Sequence, residues 1–145
     1  MSKFFLDTNI LVYANDKSDP RKQILATKLV SDCIAERKGV ISTQVLQEYA
    51  CVALHKLRQD LEIVRRRLGQ FQSLEVVIVT PAIISRALEL HAQYKIHYWD
   101  AAILAAAEEA QCDQLFSEDF PDGAVYGKVR VVNPLLDITP QKTHN

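Results

Sequence analysis

Residues 4–13 read Phe4-Phe5-Leu6-Asp7-Thr8-Asn9-Ile10-Leu11-Val12-Tyr13: an apolar run, a polar triplet, then apolar residues again. An apolar run that stops at a carboxylate is how a strand buried on both faces delivers an acid to the edge of a parallel sheet. The stretch predicts a first strand over 3–6 and a short helix from Asp7 or Thr8 to about Asn15. Asp19-Pro20 then sets a cap and a first helical position for a second helix running to about residue 36, where Gly39 breaks the pattern.

Further out, Val40-Ile41 reads as a short strand. Ser42-Thr43 caps a helix that carries Glu48 to about residue 57, and residues 60–72 form a hairpin with it. The β-branched run at 75–79 is a third strand. Thr80-Pro81 opens another helix, and an alanine-rich one follows over 98–110. Short strands at 114–116 and 129–132 finish the pattern, separated by the turn Phe120-Pro121-Asp122-Gly123. Strands separated by helices, with no hairpin signal among the first four, predict an α/β protein. The expected form is a three-layer α/β/α sandwich around a mainly parallel sheet of about five strands. One domain is expected over residues 1–136, with a frayed tail over 137–145.

The chain has 145 residues, enough to bury a core without staples, and a formal net charge of −1, so charge alone would not hold a polyanion. A local patch or bound cations would have to do so. No apolar stretch is long enough to span a membrane, and Met1-Ser2-Lys3 leaves no room for a signal peptide, so a cytoplasmic protein is expected. Cys33, Cys51 and Cys112 all fall in helical patterns without a C-x-x-C pair and read as small buried thiols. With Gly39, Gly69, Gly123 and Gly127 the only glycines, neither a P-loop nor a G-x-G-x-x-G cradle exists.

Ligands of such folds bind outside the carboxyl ends of the strands, and four acids can reach that edge. Asp7 follows the first strand, Asp119 the strand at 114–116, and Glu48 lies in the second turn of a helix that starts where the second strand stops. Asp100 opens a helix that must finish at the amino edge, so its own end lies at the carboxyl edge. Singly, each has a plainer account: a cap for Asp7, a dipole partner for Asp100, a solvated rim for Glu48, a turn for Asp119. Together they repel one another unless a cation lies between them, and an all-oxygen set favours Mg²⁺ or Mn²⁺ over zinc. Ions held this way can activate water against a phosphodiester. Thr8, Asn9 and Ser117 beside the acids would orient carboxylates or touch a phosphate, or serve as local caps and turns. Arg65-Arg66-Arg67 with Lys56 and Arg58 could contact phosphates, although a solvated face is the plainer account.

LDTN at 6–9, STQVLQEY at 42–49, YWDAAILAAA at 98–107 and LFSEDFPDG at 115–123, in that order, resemble the PIN domain and specifically its VapC-type toxin branch. The resemblance spans nearly the whole chain, including Val131-Val132-Asn133-Pro134. It implies a Mg²⁺- or Mn²⁺-dependent endoribonuclease, a homodimer, and Asp7, Glu48, Asp100 and Asp119 as metal-binding acids supported by Ser117. Glu118 and Asp122 are further acids nearby. It also implies a small antitoxin whose helical tail lies across the active-site groove, against apolar residues of the early helices and the Glu48 hairpin. Two other readings stay open. A haloacid-dehalogenase-like phosphatase also places an aspartate after its first strand, but here Asn9 stands where its second acid belongs. A non-catalytic RNA-binding domain would use the acids only as caps.

Overall fold

The computed structural model describes residues 2–136, so the expected tail at 137–145 lies outside the described residues. In chain order the elements are β1 Phe4–Leu6, α1 Thr8–Ala14, α2 Pro20–Ala35, β2 Gly39–Ser42, α3 Thr43–His55, α4 Leu61–Phe71 and β3 Glu75–Val77. They continue as α5 Pro81–Tyr94, α6 Tyr98–Glu109, β4 Gln114–Phe116, β5 Val125–Tyr126 and β6 Val129–Val132. The local start signals act as read. Asp19 accepts from the Lys22 N–H, Ser42 from Val45 and Thr80 from Ile83, each satisfying a helix N–H that has no partner within its own helix.

The sheet order is β3-β2-β1-β4-β6-β5, parallel except for the β5–β6 pair. The chain steps outward from β1 to β3 and then returns to β4 on the other side of β1. Right-handed crossovers put helices made on the outward path on one face and those made on the return on the other. Accordingly α1 packs on α2 and α3, α3 on α4, and α5 on α6. The direction of travel reverses between β1 and β4. At that switch point the connections diverge and leave a crevice at the carboxyl edge.

Among the described residues six strands form where about five are expected, because β5 escapes the sequence pattern. Val125-Tyr126 is too short to alternate, and Gly127-Lys128 joins it to β6 with Gly127 at φ 61°, a two-residue turn that glycine enters without strain. The hairpin inserts β6 between β4 and β5, so residues 117–124 must arch over the carboxyl edge. That arch carries Asp119.

Cys33 and Cys112 are buried as expected, and burial pushes their thiols up to about 11 and about 12. Cys112 lies just beyond α6, not inside a helix, and Cys51 is exposed, a correction to the expectation for both. Cys51 faces outward on α3, two residues from both Tyr49 and Ala53 and so roughly opposite the buried stripe that they form with Val45. Among hydrophobic residues, Tyr49 is fully buried, edge-on to Phe71 at 4.8 Å, and its hydroxyl has no hydrogen-bond partner among the described residues. A Tyr49→Phe variant keeps the ring contact and removes an unsatisfied buried group. It is therefore expected to be as stable as wild type or more stable by about 1 kcal/mol, measured by urea denaturation. A loss of more than that would mean that the hydroxyl is bonded in solution.

No helix among the described residues is long and apolar enough to cross a membrane.

Candidate active site

Asp7 ends β1 at the switch point and caps α1. It is only 4% exposed, accepting from the Thr8 N–H at 2.7 Å through Oδ1 and from the Ser117 hydroxyl at 2.7 Å through Oδ2. Ser117 sits on the first turn of the arch after β4, itself buried, and its oxygen also accepts the Asp119 N–H at 3.0 Å. One serine thus couples the acid after β1 to the backbone of the acid on the arch. Asp119 itself is exposed.

Glu48 reaches the same edge from the second turn of α3. The Thr8 hydroxyl donates to its Oε1 at 2.5 Å and Gln44 Nε2 to its Oε2 at 3.2 Å. Gln44 also donates to the Trp99 carbonyl at 3.2 Å, in the first turn of α6, directly before Asp100. The Gln44 amide therefore links the helix of Glu48 to the helix of Asp100. Sequence reading missed this residue, although its position four before Glu48 on one helix face is a signal that it could reach that acid. Asp100 is half-buried, and its carboxylate makes no hydrogen bond among the described residues.

The charges of Glu48 and Asp119 act on both Asp7 and Asp100. Burial above all, with the charges of Asp119 and Glu48 adding to it against the Ser117 and Thr8 hydrogen bonds, pushes the Asp7 carboxyl up to about 7. The Asp100 carboxyl is also raised, first by burial and then by Asp119, with His97 opposing and Glu48 adding to it. Both shifts say that the folded protein holds too little positive charge here for its carboxylates.

Of the remaining expectations, Thr8 and Ser117 each hold a carboxylate. Asn9 lines the groove next to them, with both amide atoms buried and unpartnered among the described residues. Glu118 turns aside. Its Oε1 accepts from the Tyr13 hydroxyl at 2.6 Å and its Oε2 pairs with Lys22 Nζ at 3.2 Å. Asp122 accepts the Asn133 N–H at 2.7 Å and so braces the arch. An open groove of about 430 Å³ runs past Glu48 and Asp119, lined also by Thr8, Asn9, Val12 and Val52 among others; Asp7 and Asp100 are not among its lining residues.

An all-carboxylate donor set with two carboxyls raised by crowding and burial fits a hard divalent cation in charge and donor type. As the side chains lie, no three acidic, histidine or cysteine groups among the described residues close around one point. Because Thr8 fixes Glu48, a Thr8→Val variant should fold normally yet lose about tenfold or more of any reaction that depends on the Glu48 geometry. Unchanged turnover beside an unchanged melting temperature would remove Thr8 from the site.

The family description that matches this chain is the PIN domain, over residues 4–120. Among solved structures, the chain is similar to a toxin–antitoxin complex from Klebsiella pneumoniae, at 24% identity and TM-score 0.67, covering 92% of this chain and 98% of that one. It is also similar to the VapC20 toxin of Mycobacterium tuberculosis, which cleaves the sarcin-ricin loop, at 18% identity and TM-score 0.66, covering 88% and 99%. A third likeness is to DNA-bound VapBC from Salmonella typhimurium, at 17% identity and TM-score 0.63, covering 90% and 97%. No curated protein matches the sequence.

Proposed function

Because this chain belongs to the PIN domain family, we propose that it is a metal-dependent endoribonuclease, the toxin half of a VapBC-like pair. The observation that carries this reading is that Glu48 and Asp119 lie close enough for their charges to reach both Asp7 and Asp100 at the switch point of the sheet. Asp7 and Asp100 would be the principal ligands of Mg²⁺ or Mn²⁺, with Glu48 and Asp119 as further ligands or water-orienting groups. When bound, the ion would supply charge stabilisation at the phosphodiester and lower the pKa of a water.

The protein's own part is preparation. Ser117 and the Thr8 N–H each take one lone pair of Asp7, leaving the others directed to the site, and Thr8 with Gln44 does the same for Glu48. These carboxylates are held in place before substrate arrives, so little reorganisation is needed during reaction. Asp119, exposed and anchored only through its backbone N–H, is free to turn towards a water and accept its proton during in-line attack. Asn9 stands where a haloacid-dehalogenase-like phosphatase needs its second acid, and an amide cannot protonate a leaving group, which disfavours that rival.

The likeness to toxin–antitoxin structures favours a small antitoxin partner for this chain, and a homodimer in the cytoplasm is carried over from the family resemblance alone. The test of the central reading is cleavage of a mixed RNA pool by the purified protein in Mg²⁺ or Mn²⁺. It is compared with the same reaction in chelator and with Asp7→Asn and Asp100→Asn. Cleavage should require the metal and both aspartates. Equal cleavage by wild type and variants would mean a contaminant. RNA binding without metal binding or cleavage would establish the non-catalytic rival.

A further inference from the structure

Beside the acid-lined groove lies a second open hollow of about 600 Å³, between the loop after α1 and the turn joining α3 to α4. The two hollows share Asp16 and Lys56, so they form one continuous track away from the acids. The second one is lined by Lys17, Lys56 and Arg67, with Asp16 as the only acid among its described lining residues.

Among the described residues no acid lies within ion-pair distance of these three cations, a property they share with Arg37, Arg58, Arg66, Lys95, Lys128 and Arg130; what sets the three apart is that they line one hollow. Lys3, Lys22, Lys28, Lys38, Arg65 and Arg86 are each matched by a carboxylate at 4.0 Å or less. Asp16 offsets part of this charge: its Oδ1 accepts from the Ser18 N–H at 2.9 Å and the Ser18 hydroxyl at 2.6 Å, and its carboxyl also feels the Lys56 charge without closing to ion-pair distance. Arg67 gives one N–H to Gln70 at 3.2 Å, while its Nε is buried and unpartnered. Three cations against one acid leave an excess of positive charge on one concave surface, which attracts phosphates. A chain with net charge −1 and four acids at its site needs such a patch to hold a polyanion.

We propose that this hollow is a phosphate-binding subsite for single-stranded RNA, in which Lys17, Lys56 and Arg67 hold the backbone that leads away from the scissile bond. The proposal rests on the nuclease reading above for the direction of the strand but not for the binding itself. A strand laid along the shared track crosses the acids at one end and reaches these cations at the other. This arrangement separates affinity from chemistry, because the acids would repel the very polymer they cut.

Anisotropy of a fluorescent single-stranded RNA of about a dozen nucleotides tests it, with Mg²⁺ present and Asp7→Asn as the cleavage-silent parent. Lys17→Gln/Lys56→Gln changes two exposed side chains that make no ion pair, so the fold should be untouched. The double variant should bind roughly 10- to 30-fold more weakly at 0.1 M salt. Its plot of log affinity against log salt should be shallower by about 1.4, the value for two lost phosphate contacts on a single strand. Adding Arg67→Gln should reduce the slope further. Unchanged affinity and slope in the double variant would overturn the subsite, and capture of an acidic protein through these lysines with no effect on RNA would do so as well. The cleavage assay reports separately: RNA binding that depends on the two lysines, in a protein that never cleaves, would sink the nuclease reading and leave the subsite standing.

Discussion

Asp7→Asn is expected to abolish RNA cleavage, by at least about a hundredfold, and at the same time to stabilise the metal-free protein. The first half follows from proposed ligation. The second follows from burial: Asp7 is 4% exposed and its carboxyl is pushed from 3.8 up to about 7. The folded state therefore holds a proton between about pH 4 and 7 that the unfolded chain has released. With more protons bound in the folded state, stability falls as pH rises through that window, by as much as about 4 kcal/mol for three units. Below pH 4 both states are protonated, and above about 7 neither is, so the curve is flat outside the window.

Asparagine carries no charge to desolvate. Its amide oxygen still accepts the Thr8 N–H, and its nitrogen can donate to the Ser117 oxygen in place of the bond it loses. In chelator, thermal melts of wild type should drop between pH 5 and pH 8, while those of Asp7→Asn should drop much less. Mg²⁺ or Mn²⁺ should raise the wild-type melting temperature at pH 8 and leave the variant nearly unmoved. Parallel pH profiles for the two proteins would show that the Asp7 charge is compensated by something other than a metal.

How much of this was legible in the chain depended on distance along it. The starts at Asp19-Pro20, Ser42-Thr43 and Thr80-Pro81 are decided within four residues, and the structure has them where they read. The order of strands and helices followed from hydrophobic runs, and that order places the ends of β1 and β4 side by side at the switch point. The short antiparallel β5 did not follow, because two residues carry no period. Neither did the contacts that hold the acids. Gln44 meets the Trp99 carbonyl across 55 residues of sequence, and Tyr13 and Lys22 turn Glu118 aside across 105 and 96. Such pairings depend on the whole sheet having formed first. Glu48 shows the limit most clearly: the helical wheel gives it a solvated rim, but Thr8 and Gln44 occupy both of its oxygens.

Gly39 is the residue whose reading changes most. In sequence it only ends a helix; in the fold it is buried at the first position of β2, and a Cβ built there would lie 2.4 Å from Leu74 Cδ2 and 2.8 Å from Cys33 Cβ. Its backbone angle is ordinary, so the requirement is space and not conformation. Leu74 can swing its methyl only so far, being 5% exposed, and the Cys33 Cβ is fixed to α2. Gly39→Ala must therefore push α2 away from β2 or strain both side chains, which costs about 2–3 kcal/mol in a packed core. For a domain of this size that corresponds to a melting temperature lower by roughly 10 °C. The partner test is non-additivity. Leu74→Ala should destabilise the wild type, yet cost clearly less in the Gly39→Ala background, because the truncation vacates the space that the new methyl needs. Additive losses would mean that Cys33, and through it the seat of α2 on the sheet, sets the limit. A melting temperature unchanged in Gly39→Ala would mean that α2 stands further from β2 in solution. The arch and its acids lie at the opposite edge of the sheet, so folded Gly39→Ala protein should keep its RNA cleavage at low temperature, separating the cost of packing from that of chemistry.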